Sequence, residues 1–177
     1  MEDIYVKLAK KAVREAVTGE GNGDDKELKN KLPDPPQGVF VTLKRNGQDL
    51  RGCIGTYTPA TDSLGDEVIR NASSAALDDP RFPPVREDEL KELTVSVDVL
   101  TEPEPCEIDD LNPDRYGIMV EKGGKSGLLL PDLDGVDSVE KQVDVTKKKA
   151  GLSPADDDFE LKRFEVERHE GEQPIGK

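Results

Sequence analysis

An α+β fold with a largely antiparallel sheet flanked by helices is predicted for this chain by three observations. Apolar residues recur at helical spacing in three segments. They alternate in other segments that are joined by short turn sequences. The helical segments fall between groups of strands and do not follow every strand.

The elements can be justified in order. In residues 5–17, Tyr5, Leu8, Ala9, Ala12, Val13, Ala16 and Val17 share one helical stripe, with Lys7, Lys10, Lys11 and Arg14 outside it. Residues 19–25, rich in glycine and acid, end that helix and form a polar loop. Val39, Val41 and Leu43 alternate as a strand, Asn46-Gly47 suits a hairpin turn, and residues 49–56 return as its partner. A second helix spans residues 63–77, with Leu64, Val68, Ile69, Ala72, Ala75 and Ala76 inside one arc; its alanines imply close packing.

Asp79-Pro80-Arg81-Phe82-Pro83-Pro84 stops that helix, and Phe82 reads as a core anchor. A short helix at 87–93 and a strand through Val95, Val97 and Val99 follow. Residues 116–120 and 127–130 read as a hairpin turning at Gly123-Gly124. Val136, Val139, Val143, Thr146 and Ala150 mark a third helix ended by Gly151. Residues 161–168 read as one final strand, which makes 1–170 the domain and 171–177 a loose C-terminal tail.

Composition narrows the function. Asp and Glu number 39 against 25 Lys and Arg, a net charge of −14, which repels nucleic acid and anionic membranes and excludes both as primary partners. The apolar runs are too short to span a bilayer, and the acidic start lacks the pattern of a secretory signal, so a cytoplasmic location is expected. Cys53 and Cys106 form no metal-ligand spacing, and His169 is the single histidine. No metal site or cofactor is expected, and no Ser-His-Asp arrangement can be assembled.

The most unusual segment is Leu50-Arg51-Gly52-Cys53-Ile54-Gly55-Thr56. Glycines inside a strand mark a bulge or a close backbone approach. Strand parity places Arg51 and Cys53 on one face, where the guanidinium would favour the thiolate; the alternative is a buried, inert cysteine. Arg81, on a rigid turn beside Asp79, is suited either to an anion or to an internal ion pair. Asn71 stands at the edge of the second helix's apolar arc, open to a structural hydrogen bond or a ligand.

These residues resemble the AMMECR domain family. The resemblance is carried by Leu50-Arg51-Gly52-Cys53-Ile54-Gly55-Thr56 and by Asp79-Pro80-Arg81-Phe82-Pro83-Pro84-Val85. Ser96-Val97-Asp98-Val99-Leu100, Tyr116-Gly117-Ile118 and Gly127-Leu128-Leu129-Leu130-Pro131 follow in the family's order. Asp132-Leu133-Asp134-Gly135-Val136 and Arg163-Phe164-Glu165-Val166 look most like a prokaryotic branch, the AmmeMemoRadiSam system protein A.

The resemblance implies a two-lobed single domain with a cleft beside the signature segment. It also implies a Memo-like protein and a radical-SAM protein as partners, and no established reaction. Two readings follow. In the first, the chain is a ligand- or partner-binding component, more an adaptor than an enzyme, with Arg51, Gly52, Cys53, Ile54, Gly55, Asn71, Asp79 and Arg81 forming the site. In the second, Cys53 is the nucleophile or the redox/radical acceptor of an enzyme.

Overall fold

The computed structural model describes residues 1–21 and 25–176; the expected loop at 19–25 and the expected tail at 171–177 each fall partly outside the described residues. In chain order the elements are α1 (Ile4–Thr18), α2 (Lys26–Lys29), β1 (Val39–Arg45), β2 (Asp49–Thr56), α3 (Leu64–Leu77) and β3 (Leu93–Leu100). They continue with β4 (Glu104–Pro105), β5 (Gly117–Lys122), β6 (Lys125–Leu129), α4 (Val139–Lys149), β7 (Glu160–Phe164) and β8 (Val166–Glu170). The class is α+β, with antiparallel sheets flanked by helices. Two compact units form, residues 1–99 with 168–177 and residues 100–167. Each has its own four-stranded sheet, so the largely antiparallel sheet expected from the sequence is divided between two units.

The first unit orders its sheet β2-β1-β3-β8. Asn46 and Gly47, with φ of 51° and 70°, make the β1–β2 turn, as two successive left-handed residues should. The inward residues of β1 (Val39, Val41, Leu43) and β3 (Val95, Val97, Val99) meet Leu8 and Val13 of α1 and Val68, Ala72 and Ala75 of α3. The Asp3 carboxylate caps α1 by accepting the Tyr5 N–H at 2.8 Å. Ser63 caps α3 through the Asp66 N–H at 3.1 Å. Lys10, expected on the solvent side of α1, is buried and ion-paired with Glu2, a polar end on an apolar stem.

The loose-tail expectation is corrected here. Ile175 is 0% exposed, inside the first unit's core. Its N–H donates to the Leu93 carbonyl at 2.8 Å, Gly171 N–H donates to Val95 at 2.9 Å, and Arg14 donates to the Ile175 carbonyl. One isolated apolar residue among polar neighbours carries no periodicity, so the sequence pattern could not mark it.

The second unit orders its sheet β4-β7-β5-β6, with α4 packed on β5 and β6. Ile118, Val120, Leu129, Val143 and Leu161 form its core. The helix starts at Val139, later than residue 136, because Ser138 caps it by accepting the Lys141 N–H at 3.1 Å. The single final strand is in fact two. Glu165 leaves the ladder: its N–H donates to the Thr101 hydroxyl at 2.8 Å, and its carbonyl accepts the Thr101 N–H at 2.9 Å. β7 therefore belongs to one sheet and β8 to the other. No helix among the described residues is long and apolar enough to cross a membrane.

Replacing Ile175 with Ala should lower stability by about 2–4 kcal/mol in urea unfolding, because it leaves a cavity in a closed core. The same truncation at Leu133, which is 39% exposed, should stay within about 0.5 kcal/mol.

Candidate functional site

The signature strand β2 is the edge of the first unit's sheet, and α3 presses on it. A Cβ on Gly52 would stand 2.1 Å from the Ala75 carbonyl oxygen, so only glycine allows this approach. Next to it the β1–β2 register slips: Leu43 faces Gly52 but Lys44 faces Leu50, which leaves Arg51 as the extra residue of a bulge. The glycine and bulge expectations are both realised within three residues.

The bulge overturns the expected pairing of Arg51 with Cys53. Arg51 is 6% exposed, and its Nε and one Nη donate to the two oxygens of Glu89 at 2.9 and 3.1 Å. Arg45 donates to the same carboxylate at 2.6 Å, and the Arg86 N–H donates to it at 2.9 Å. Glu89 lies in a 3₁₀ turn, Glu87–Glu92. The Arg51 fork is the main reason its carboxyl titrates at about 2; burial opposes this, while Arg86 N–H and Arg45 assist.

Cys53 points elsewhere. Its Sγ lies 3.2 Å from the Thr42 hydroxyl, and burial pushes the thiol above its ordinary range. The Thr42 hydrogen bond and the charge of Arg81 act the other way without reversing it, and Asp98 and Asp79 add to the rise. The expected depression of this thiol by Arg51 is therefore corrected: the guanidinium is held by Glu89 and the shift has the opposite sign.

The backbone of Cys53 is held by the Asp79-Pro80-Arg81 turn. Asp79, buried, accepts the Cys53 N–H at 2.9 Å. It also takes Nε and an Nη of Arg81 at 3.1 and 2.9 Å, while Arg81 reaches the Cys53 carbonyl at 3.4 Å. An acid and a base from one turn thus occupy the donor and acceptor that an edge strand exposes. Chiefly through the Arg81 hydrogen bonds, and against its own burial, Asp79 is held well below the usual carboxylate range. Of the two readings of Arg81, the internal ion pair is observed, with the side chain still 55% exposed.

The remaining sequence candidates serve as scaffold. Asn71, 1% exposed, donates to the Val39 carbonyl at 3.0 Å and to the Thr56 hydroxyl at 3.1 Å. Gly55 makes room for the Phe40 ring, and Ile54 packs on the core. Phe82 is not the core anchor that was expected. It is half-buried, with the Arg51 and Arg81 guanidiniums 5.9 and 5.5 Å from its ring, and Val85 takes the core position.

Beside these residues runs a groove of about 630 Å³ lined by Arg45, Arg51, Phe82, Pro83, Pro84 and Arg86, among others. Glu89 and Arg45, which organise it, were missed because 38 and 44 residues separate Glu89 from its arginines. The available signal was local: an acid at the third position of a short helix, able to reach back to the N–H before it. Both cysteines are free thiols, and among the described residues no group of three or more His, Cys, Asp or Glu is placed to hold a metal.

The family profile described as AMMECR1 matches residues 6–169. A Thermotoga maritima protein is 46% identical over 170 residues, covering 95% of this chain and 98% of its own length. A Clostridium acetobutylicum protein is 45% identical over 170 residues, covering 95% of this chain but 36% of its own length. The crystal structure of an uncharacterised Pyrococcus horikoshii protein superposes with a TM-score of 0.84 at 38% identity, covering 98% of this chain and 92% of that one. The chain belongs to the AMMECR1 family.

Two outcomes test this geometry. Gly52→Ala should cost about 1–3 kcal/mol in urea unfolding, since the new methyl meets helix backbone. Glu89, with a folded value of about 2, stabilises the fold fully above its unfolded value and loses that contribution as pH falls through the folded one. Stability should therefore drop by on the order of 3 kcal/mol between pH ~4.3 and pH ~2, and Glu89→Gln should flatten that part of the profile.

Proposed function

We propose that this AMMECR1-family chain works as a ligand- or partner-binding component and not as a cysteine-dependent enzyme. The observation that carries this reading is the state of Cys53. Its thiol is hydrogen-bonded to Thr42 and raised by burial, while the arginine best placed in the sequence to activate it is bound to Glu89. A nucleophilic cysteine needs a lowered pKa or an adjacent base, and the one histidine of the chain, His169, is hydrogen-bonded to Asp3 and stacked on Tyr5. What the signature region offers instead is a rigid edge and a groove with exposed guanidiniums, the equipment of recognition.

The reading extends to a role beside the Memo-like and radical-SAM proteins of an AmmeMemoRadiSam system, in which the radical chemistry is the partner's. The Clostridium relative supports a partnered role. This chain matches 36% of that protein's length, so a counterpart of this module is joined there to additional sequence.

The test combines alkylation with capture. In a pH series with iodoacetamide, Cys53 should stay slow below pH ~8.5, the ordinary thiol value, and should react more slowly than Cys106, whose thiol is also raised by burial. Cys53→Ser should still co-purify with co-expressed Memo-like and radical-SAM partners. Rapid alkylation below neutral pH, or loss of cellular function in a folded Cys53→Ser protein, would reverse the assignment to the enzyme reading.

A further inference from the structure

The groove next to β2 is electrostatically out of keeping with the rest of the molecule. Four cations line it, Arg45, Arg51, Arg86 and Lys91, against three acids, Asp88, Glu89 and Glu92, in a chain of net charge −14. Its arginines are also incompletely used. Arg51 spends Nε and one Nη on Glu89, Arg45 spends one Nη there, and Arg86 spends Nε and one Nη on Asp88. Each guanidinium keeps a second Nη for which no acceptor is found among the described residues.

Arg51 is buried and fixed, whereas the side chains of Arg45 and Arg86 are 41% and 73% exposed. The Glu89 carboxylate, gripped by two arginines, displays the chemistry that this cluster recognises. Phe82, whose ring lies 5.9 Å from the Arg51 guanidinium, and Pro83 and Pro84 supply an apolar, conformationally stiff part of the lining.

We infer that this groove binds a small organic oxyanion, with its phosphate or carboxylate on Arg45, Arg51 and Arg86 and its apolar part against Phe82, Pro83 and Pro84. This rests on the binding reading above and gives it a ligand class. Glu89 acts as a resident carboxylate that holds the arginines in place and weakens the attraction of a second anion. An incoming ligand uses the vacant Nη donors and leaves the Glu89 fork intact.

The probes are phenyl phosphate and phenylacetate, titrated calorimetrically into the full chain at low salt, with inorganic phosphate as the arm lacking the apolar part. Phenyl phosphate should bind more tightly than inorganic phosphate, and its affinity should fall as salt rises. Arg45→Ala and Arg86→Ala should each weaken it about tenfold. Arg86→Ala should melt unchanged because its side chain is 73% exposed, and Arg45→Ala, which also removes a hydrogen bond to Glu89, should melt lower but stay folded. Glu89→Gln should strengthen binding severalfold. If that variant does not fold, the two arginine variants decide alone.

Binding by only one of the two phenyl anions supports the proposal and identifies the headgroup. Affinity unchanged within twofold in a folded Arg45→Ala/Arg86→Ala protein overturns it, as does no binding of either phenyl anion to the unsubstituted chain at millimolar concentration. Such a failure is separable from failure of the binding reading, because Cys53 alkylation and partner capture by Cys53→Ser do not depend on the groove's anion affinity.

Discussion

The Ala75 carbonyl of α3 occupies the space where any side chain at position 52 would begin, and the geometry of the signature strand follows from that contact. The alanine-rich face of the helix and the glycine in the strand are two halves of one requirement. Small residues on both sides bring a helix backbone against a sheet backbone, which fixes β2 laterally. With Gly52 pinned, the extra residue of the hairpin is accommodated at Arg51, and the bulge sends its guanidinium to Glu89. The alternation resumes at Cys53, whose thiol meets Thr42 across the ladder. A larger residue at 52 would move the Arg51 and Cys53 side chains together.

The edge of β2 is managed by side chains. Asp79 and Arg81 satisfy the outward N–H and C=O of Cys53, which a neighbouring strand would otherwise do. The adjacent Glu89 cluster does the corresponding work for two arginines. Both clusters use acids whose charged form is favoured by several donors at once, the condition under which a buried or half-buried carboxylate can be kept ionised. Glu67, also fully buried, follows the same rule with hydroxyl and backbone donors from Thr56, Ala60 and Thr61. In a chain so rich in acids, placing some of them inside such donor cages lets the fold absorb charge without burying it unpaired.

Much of the fold was legible in the sequence because its long elements have clear periods. α1, α3, β1 and β3 lie within a few residues of where the apolar spacing put them, and Asn46-Gly47 turned as expected. The elements that were not anticipated, α2 and β4, span four and two residues and are too short to carry a period. The break at Glu165 was hidden because it depends on Thr101, far away in sequence. At the candidate site, Gly52 and Arg51 were visible as an irregularity. Strand parity misdirected Arg51 because a bulge shifts parity by one, and Glu89 was missed because its meaning comes only from partners brought to it by folding.

The order in which the chain is made bears on how the first unit forms. Its sheet is completed by β8 and its core by Ile175, both of which follow the entire second unit in sequence. During synthesis residues 1–99 emerge with one sheet edge unpaired and the core open, while residues 100–167 have everything they need for their own core. The later-made unit is thus able to close first, and the earlier-made one must wait for residues that follow it, a loop closure of high contact order. A ribosome stalled once residues 100–167 have emerged but before residues 168–177 have would therefore hold a finished second unit and an unfinished first one, with the β3 edge exposed to nascent-chain chaperones or to another copy's β8.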